Sequence, residues 1–423
     1  MGDPVSGEPS TRRLESDRRL QAWLAALLPN LALAGGSLLL VLGVLEGALR
    51  LVWLPQRIRA ERGTELRDYS EHDPVLGWRK RAGVSMDFVR REYVVPFATN
   101  PLGLRDPPRG YQAGAGVERV LALGDSYVEG YTVPLEQTLT QRLEQGLRAL
   151  ACRVEVINGG TTGYSTDQEY LFYVNEGMRY SPRVVLLFFY HNDVFFNDSE
   201  SFYQGVAKPM FELHDGQLAL KRQPVPSPNP RLAAPETEEA SEHSRLASVQ
   251  WLRDRLWFGA PRLYNRLGRL GLWEANRPVG ARLEQRVYSK ERIERLERAW
   301  ETTGALLTRF AEQTRTGGQR LLLVYVPARF EVDDSAWRVT IEKYALREAE
   351  WDRGLVRARL ASLARRAGLP LLDLAPALRA AEGPLRTTYY PQDSHWNARG
   401  HQVAAEQVQG WLLRAGWLAT CPR

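Results

Sequence analysis

Arg119-Val120-Leu121-Ala122-Leu123-Gly124-Asp125-Ser126 is a short apolar run closed by a small residue, an acid and a hydroxyl. Four apolar side chains in a row, with a charge before them and a glycine after, fit a strand buried on both faces. That is the signature of a parallel sheet covered by helices, not of an antiparallel sheet with one wet face. Two further strands follow, the first with Glu155 among its apolar residues and the second without a break. Residues 153–157 end at Asn158-Gly159-Gly160, and the wholly apolar residues 184–189 end at His191-Asn192-Asp193. Helical spacing occupies residues 135–150 and 166–178, the second with Ser165 as its cap and Gln168 three residues on. The alternation resumes with a helix over 290–314, strands over 321–326 and 371–374, and an amphipathic helix over 398–413 with Asn397 as cap. This order predicts an α/β domain with a mostly parallel five-stranded sheet covered on both faces, and in such sheets functional side chains gather at the carboxyl ends of the strands.

Upstream, residues 21–45 hold no charged residue. As a helix they would span roughly 37 Å, against about 30 Å of bilayer hydrocarbon. A transmembrane helix is expected there, with Trp23 and Trp53 near the two interfaces. A cleaved signal peptide fits less well, because the leader is long and mixed in charge and Glu46-Gly47-Ala48 is a poor cleavage site. A buried core helix would not need so long a charge-free run. Residues 1–20 read as a disordered tail and 46–115 as a stalk and β lead-in, with one or two strands over 84–95. The domain proper spans 116–423, interrupted at about 198–288. That insertion holds a proline-rich stretch (224–235), the acidic run Glu236-Thr237-Glu238-Glu239, and a Trp- and Leu-studded segment over 244–273. The last reads as a helical pair packed on the core, or else as a lid or a membrane-surface patch.

Composition narrows the function. With 56 Lys and Arg against 50 Asp and Glu, the net charge of +6 is mild for 423 residues. No dense basic stripe interleaved with aromatics appears, so nucleic acid is not an expected partner. Two cysteines, Cys152 and Cys421, exclude a disulfide framework and a cysteine zinc site. They leave either one bridge or two free thiols.

The strand-end clusters carry the chemistry. Ser126 on a tight turn after a buried strand can be presented as a nucleophile, although a plain capped turn has the same composition. Residues 158–163 lack the GxGxxG spacing of a dinucleotide site; Gly163 could aim its N–H at an oxyanion, or simply be a turn glycine. The Asn192 side chain could be a second donor or a turn residue. His191 reads as structural. Near the C-terminus stands Asp393-Ser394-His395-Trp396. In an extended stretch residues two apart project together, so Asp393 could orient His395; a helix entry rich in capping residues is the alternative. A metal held by Asp393, His395, His401 and Asp193 lacks a recognisable spacing.

Taken together and in this order, the clusters resemble the SGNH (GDSL-type) hydrolase superfamily, over residues 100–411 less the insertion. The resemblance implies Ser126 as nucleophile, His395 and Asp393 as the rest of a catalytic triad, and Ser126, Gly163 and Asn192 as oxyanion-hole donors. Two departures stand out: Tyr190 occupies a usual glycine, and the last block is Asp393-x-His395 where D-x-x-H is common. The shorter form, with Trp396 following, is similar to bacterial exopolysaccharide O-acetylation proteins of the alginate type. Thr99-Asn100-Pro101-Leu102-Gly103-Leu104-Arg105-Asp106 resembles a lead-in of membrane-anchored bacterial members. The family further implies a flavodoxin-like three-layer α/β/α domain, no metal or other cofactor, and an acyl-ester substrate. It places the domain on the periplasmic side of the bacterial inner membrane, behind a single pass; arginines flank the apolar segment almost equally and do not decide the side. Three functions follow as expectations: an esterase, an O-acyltransferase acting on an exopolysaccharide or envelope glycan, or a non-catalytic glycan-binding module on the same fold.

Overall fold

A computed structural model describes residues 10–61, 64–227, 246–273, 283–383 and 387–422. It divides into two compact units, Met1–Arg59 with Glu242–Asp254, and Ala60–Ser241 with Arg255–Arg423.

The first unit is helical. An α-helix over Ser10–Ala48 continues through a π-helical turn, Leu49–Trp53, into Leu54–Glu61. Its segment Leu27–Arg57 is long and apolar enough to cross a membrane, and no residue of its most apolar 18-residue window is buried. Residues 10–20, expected to be disordered, are helical. Once a long helix has nucleated, each added residue costs little, and this stretch holds four Arg and two Leu. Near Glu46 the helix meets the start of the insertion helix Ala247–Gly259. The Glu46 carboxylate accepts from Ala247 N (2.8 Å), Ser248 N (2.9 Å) and Ser248 Oγ (2.7 Å), satisfying donors that a helix start leaves unpaired.

The second unit is built on two small hairpins and one sheet. Strands β1 (Ser70–Asp73) and β2 (Gly77–Lys80) pair antiparallel, as do β3 (Ser85–Val89) and β4 (Val94–Ala98). The sheet contains β5 (Glu118–Leu123), β6 (Val154–Asn158), β7 (Val184–Phe189), β10 (Arg320–Tyr325) and β11 (Leu371–Asp373). A further hairpin, β8 (Met210–His214) with β9 (Gln217–Lys221), lies within the insertion. The sheet order is β11-β10-β7-β5-β6 and every pairing is parallel. This is the parallel sheet the strand pattern predicts and the flavodoxin-like α/β/α domain the resemblance implies.

Alternate residues of the central strands enter two different cores, because strand side chains point to opposite faces in turn. Leu121, Leu123, Val185, Leu187, Leu323 and Tyr325 face the helices Thr166–Asn175, Glu294–Thr316 and Leu355–Arg366. Val120, Ala122, Val184, Leu186, Phe188 and Val324 face Leu139–Ala149, Ala375–Ala381 and Ala398–Ala415. Asn397 caps the last helix, accepting from Arg399 N and Gly400 N. Ser165 holds the N-cap position of Thr166–Asn175, but its hydroxyl donates to Asp167 Oδ1 (2.8 Å) and no side-chain cap forms.

Residues 60–115 belong to the same unit as the sheet. Their hairpins close a small aromatic core of Tyr69, Phe88, Tyr93, Val95 and Phe97 around Tyr131 of the main domain. The acidic run 236–239 and most of the proline-rich stretch lie outside the described residues. Cys152 and Cys421 are joined by a disulfide, with 4.1 Å between their Cα atoms.

Candidate active site

Strand β5 delivers its chain into a turn with no room for side chains. A methyl on Gly124 would sit 2.4 Å from Val128 Cγ2 and 3.1 Å from Phe188 Cβ. Asp125 then accepts from Tyr127 N at 2.9 Å and caps the short helix Ser126–Glu129, which sets Ser126 at its first position. The serine is 7% exposed. Burial pushes the Asp125 carboxyl up to about 6.

Strand order decides what surrounds Ser126. β5 lies between β7 and β6, so the loops after those two strands flank the serine. The loop after β6 is bonded to the turn: Gly159 N donates to Ala122 O (2.8 Å), Thr161 N to Gly124 O (3.0 Å) and Asn158 Nδ2 to Val128 O (3.0 Å). Gly163 in that loop has φ +80°, the left-handed region that favours glycine, and a methyl there would lie 2.6 Å from the Phe202 ring. After β7, Asn192 opens the helix Asn192–Phe196, and its Oδ1 is buried with no hydrogen-bond partner. Tyr190 lays its ring on Tyr127 (4.8 Å between centroids). His191 packs against Tyr288, and burial pushes its imidazole down to about 3, in keeping with a structural role.

The last loop brings its histidine to the same rim. Ser126 Oγ lies 2.8 Å from His395 Nε2, and His395 Nδ1 lies 2.5 Å from Asp393 Oδ1. With the Nδ1 proton donated to the carboxylate, Nε2 is left to accept from the serine hydroxyl. The two residues do not reach this geometry by extended alternation. Residues 391–393 form a turn, and Ser394 sits at φ +66°. Ser394 N donates to Tyr390 O (2.9 Å), Tyr390 N to His395 O (2.8 Å) and Tyr127 hydroxyl to Ser394 O (3.0 Å). The turn, not the pleat of a strand, folds Asp393 back onto His395.

Charge follows geometry. Burial raises the Asp393 carboxyl, but the adjacent His395 charge and hydrogen bond, with the Tyr93 hydroxyl and Arg90, hold it below the ordinary carboxylate range. Burial lowers His395, yet the charge and hydrogen bond of Asp393, with Asp125 behind, carry it above the ordinary imidazole value. Ser126, His395 and Asp393 thus form one hydrogen-bonded line. Gly163 and Asn192 stand on the flanking loops without bonds to that line. His401 faces elsewhere: its Nδ1 accepts from Leu139 N at 3.2 Å. Among the described residues no three His, Cys, Asp or Glu side chains are grouped to hold a metal ion.

Sequence reasoning missed the groups supplied by the lead-in. Tyr93 bonds Asp393, and Lys80 Nζ bonds Thr161 Oγ1 at 2.7 Å. Arg105 is fully buried against the backbone that follows Ser126. Local patterning holds no signal for such partners.

The sequence model of the GDSL-like Lipase/Acylhydrolase family matches residues 122–403. The chain belongs to this family. The lipase and acylhydrolase of the family's description point to hydrolysis of an ester bond. Similar solved structures include a lipase/acylhydrolase from Enterococcus faecalis, 12% identical, covering 70% of this chain and 96% of its own, at a TM-score of 0.36. A GDSL-like lipase from Bacteroides thetaiotaomicron VPI-5482 is also 12% identical, covering 73% of this chain and 93% of its own, at a TM-score of 0.33. No curated protein matches the chain.

Proposed function

We propose that this GDSL-family chain is a membrane-anchored serine esterase that cleaves an O-acyl, and specifically an O-acetyl, ester. The observation that carries the reading is the line Ser126 Oγ–His395–Asp393, with its 2.8 Å and 2.5 Å links. In this mechanism His395 Nε2 takes the Ser126 proton as Oγ attacks the ester carbonyl, and Asp393 orients the imidazole and stabilises its charge. The oxyanion meets the Ser126 and Gly163 N–H groups and the Asn192 side-chain amide. His395 returns the proton to the departing alcohol, and water, deprotonated by the same imidazole, releases the acid. A complete hydroxyl–imidazole–carboxylate line favours an enzyme over a binding module.

Two features support the placement. The segment Leu27–Arg57 is long and apolar enough to anchor the chain, and the Cys152–Cys421 disulfide suits an oxidising compartment such as the periplasm. One observation favours a second reading. Phe202 of the insertion lies against Gly163, so the insertion borders the loop proposed to carry an oxyanion donor. A pocket walled there against water would pass the acyl group to a glycan hydroxyl, as an O-acyltransferase does.

The test is turnover of an aryl acetate by Ser126→Ala. The expected loss is about 10⁴-fold or more, with the protein still folded. Hydrolysis within tenfold of the unsubstituted enzyme would overturn the assignment. Incubation with acetylated glycan and a free acceptor separates release of acetate from its transfer.

A further inference from the structure

The hairpin β3–β4 lies wholly outside the residues that match the family, yet its tip reaches the acid of the catalytic line. Tyr93 donates its hydroxyl to Asp393 Oδ2 at 2.9 Å, the oxygen that His395 does not use. Glu92 accepts from the backbone N–H of Gln392 (2.9 Å) and of Asp393 (2.6 Å) through one carboxylate oxygen. The Tyr93 ring packs on Tyr390 at 4.6 Å, and Tyr390 is the residue whose backbone closes the turn on both sides. Phe88 of the same hairpin stacks on Tyr131 at 4.3 Å. The Tyr131 hydroxyl in turn stands 3.3 Å and 3.4 Å from the two imidazole nitrogens of His395. Ser394 holds a left-handed conformation that a serine seldom adopts, so the turn needs outside contacts to keep it.

We propose that Glu92 and Tyr93 are positioning residues for His395. Glu92 holds the backbone of the Asp393 turn, and Tyr93 fixes the rotation and the charge of its carboxylate. The lead-in hairpin is on this account part of the catalytic apparatus, although neither residue touches the reacting atoms. The proposal rests on the reading of Ser126, His395 and Asp393 as the reacting groups. The charged and titratable groups facing this pair and its turn include Arg90, Glu92 and Tyr93 from the hairpin, Asp125, Tyr127 and Tyr131 from the nucleophile segment, Tyr190 from the loop after β7, Arg329 from the segment after β10, His401 from the last helix, and Tyr390 from the turn itself.

The experiment uses the full chain carrying Y93F, E92A or E92Q, with S126A alongside. Rates on an aryl acetate are divided by the serine sites that a fluorophosphonate labels at its endpoint, so misfolded protein drops out. Y93F is expected to lower kcat by ten- to a hundredfold with KM within twofold, since a hydrogen bond to a charged group is lost. A carboxylate without its tyrosine donor pulls harder on the imidazolium proton, so the acid limb of kcat/KM moves to higher pH. E92A loses kcat in the same range, and E92Q, which keeps an acceptor oxygen, recovers most of it. Unchanged kcat per labelled site and an unmoved acid limb in Y93F and E92A would overturn the proposal; should Y93F fail to fold, the E92A and E92Q pair decides by the same criteria. Activity persisting in S126A would instead overturn the triad, whereas a dead S126A with unaffected Y93F and E92A sinks the positioning role alone.

Discussion

Arg105→Met tests whether the lead-in is structurally part of the unit that holds Ser126 and His395. Arg105 is 0% exposed, and its guanidinium donates to Glu129 O (3.1 Å), Gly130 O (2.7 Å) and Val133 O (2.6 Å). The first two of those carbonyls end the short helix that begins at Ser126, and Val133 lies three residues past its cap. The neighbouring Glu129 is also fully buried; it accepts from Thr162 N at 2.7 Å and its Oε1 has no hydrogen-bond partner. Burial lowers the guanidinium to about 10, and Glu129 pulls it back up. Methionine keeps a comparable apolar stem but removes the charge and all three bonds. Each orphaned carbonyl costs about 1–3 kcal/mol. These terms overlap, and the desolvation cost of the arginine itself disappears, so the net expected loss is about 3–5 kcal/mol. With a urea slope of about 3 kcal/mol/M, the midpoint falls by about 1–1.5 M. Urea unfolding followed by tryptophan fluorescence measures it. A shift under about 0.2 M would refute the reasoning, because it would mean that residues 60–106 ride on the domain as a loose stalk.

Two further outcomes follow from the site. His395 is held above the ordinary imidazole value of about 6.5, and it must be neutral to take the serine proton, so kcat/KM should fall as pH drops through a midpoint above that value. Asp393→Asn should move that midpoint down and lower kcat; a midpoint below about 6 in the unsubstituted enzyme would contradict the pairing. Gly163→Ala places a methyl against Phe202 at a positive φ, which displaces the N–H proposed to meet the oxyanion. The expected loss is about 10²-fold in kcat, and unaltered turnover would remove Gly163 from the oxyanion hole.

The sheet was legible because parallel strands buried on both faces leave unbroken apolar runs: all six residues of β7 are buried, and its sequence limits match its structural ones. The polar residues at the strand ends were legible for the same reason, since they interrupt those runs. The connection from β10 to β11 was not read, although it holds the helices Asp334–Lys343 and Leu355–Arg366. The link between Asp393 and His395 was anticipated, but by the wrong geometry, because nothing in Asp-Ser-His marks a left-handed serine. Glu92 and Tyr93 fall within the strand pattern over 84–95 with nothing to mark them; their partners stand some 300 positions away. The cysteine pairing was equally open, for two thiols 269 residues apart share no local pattern.

That crosslink has a mechanical consequence. Cys152 lies between the serine and the insertion, and Cys421 lies beyond the histidine. If a protease severs the backbone anywhere from residue 198 to residue 288, the fragment bearing His395 and Asp393 stays covalently tethered to the fragment bearing Ser126 and the apolar helix. A nicked molecule would therefore retain both halves of the proposed reacting centre, and would shed the distal half only after the disulfide is reduced.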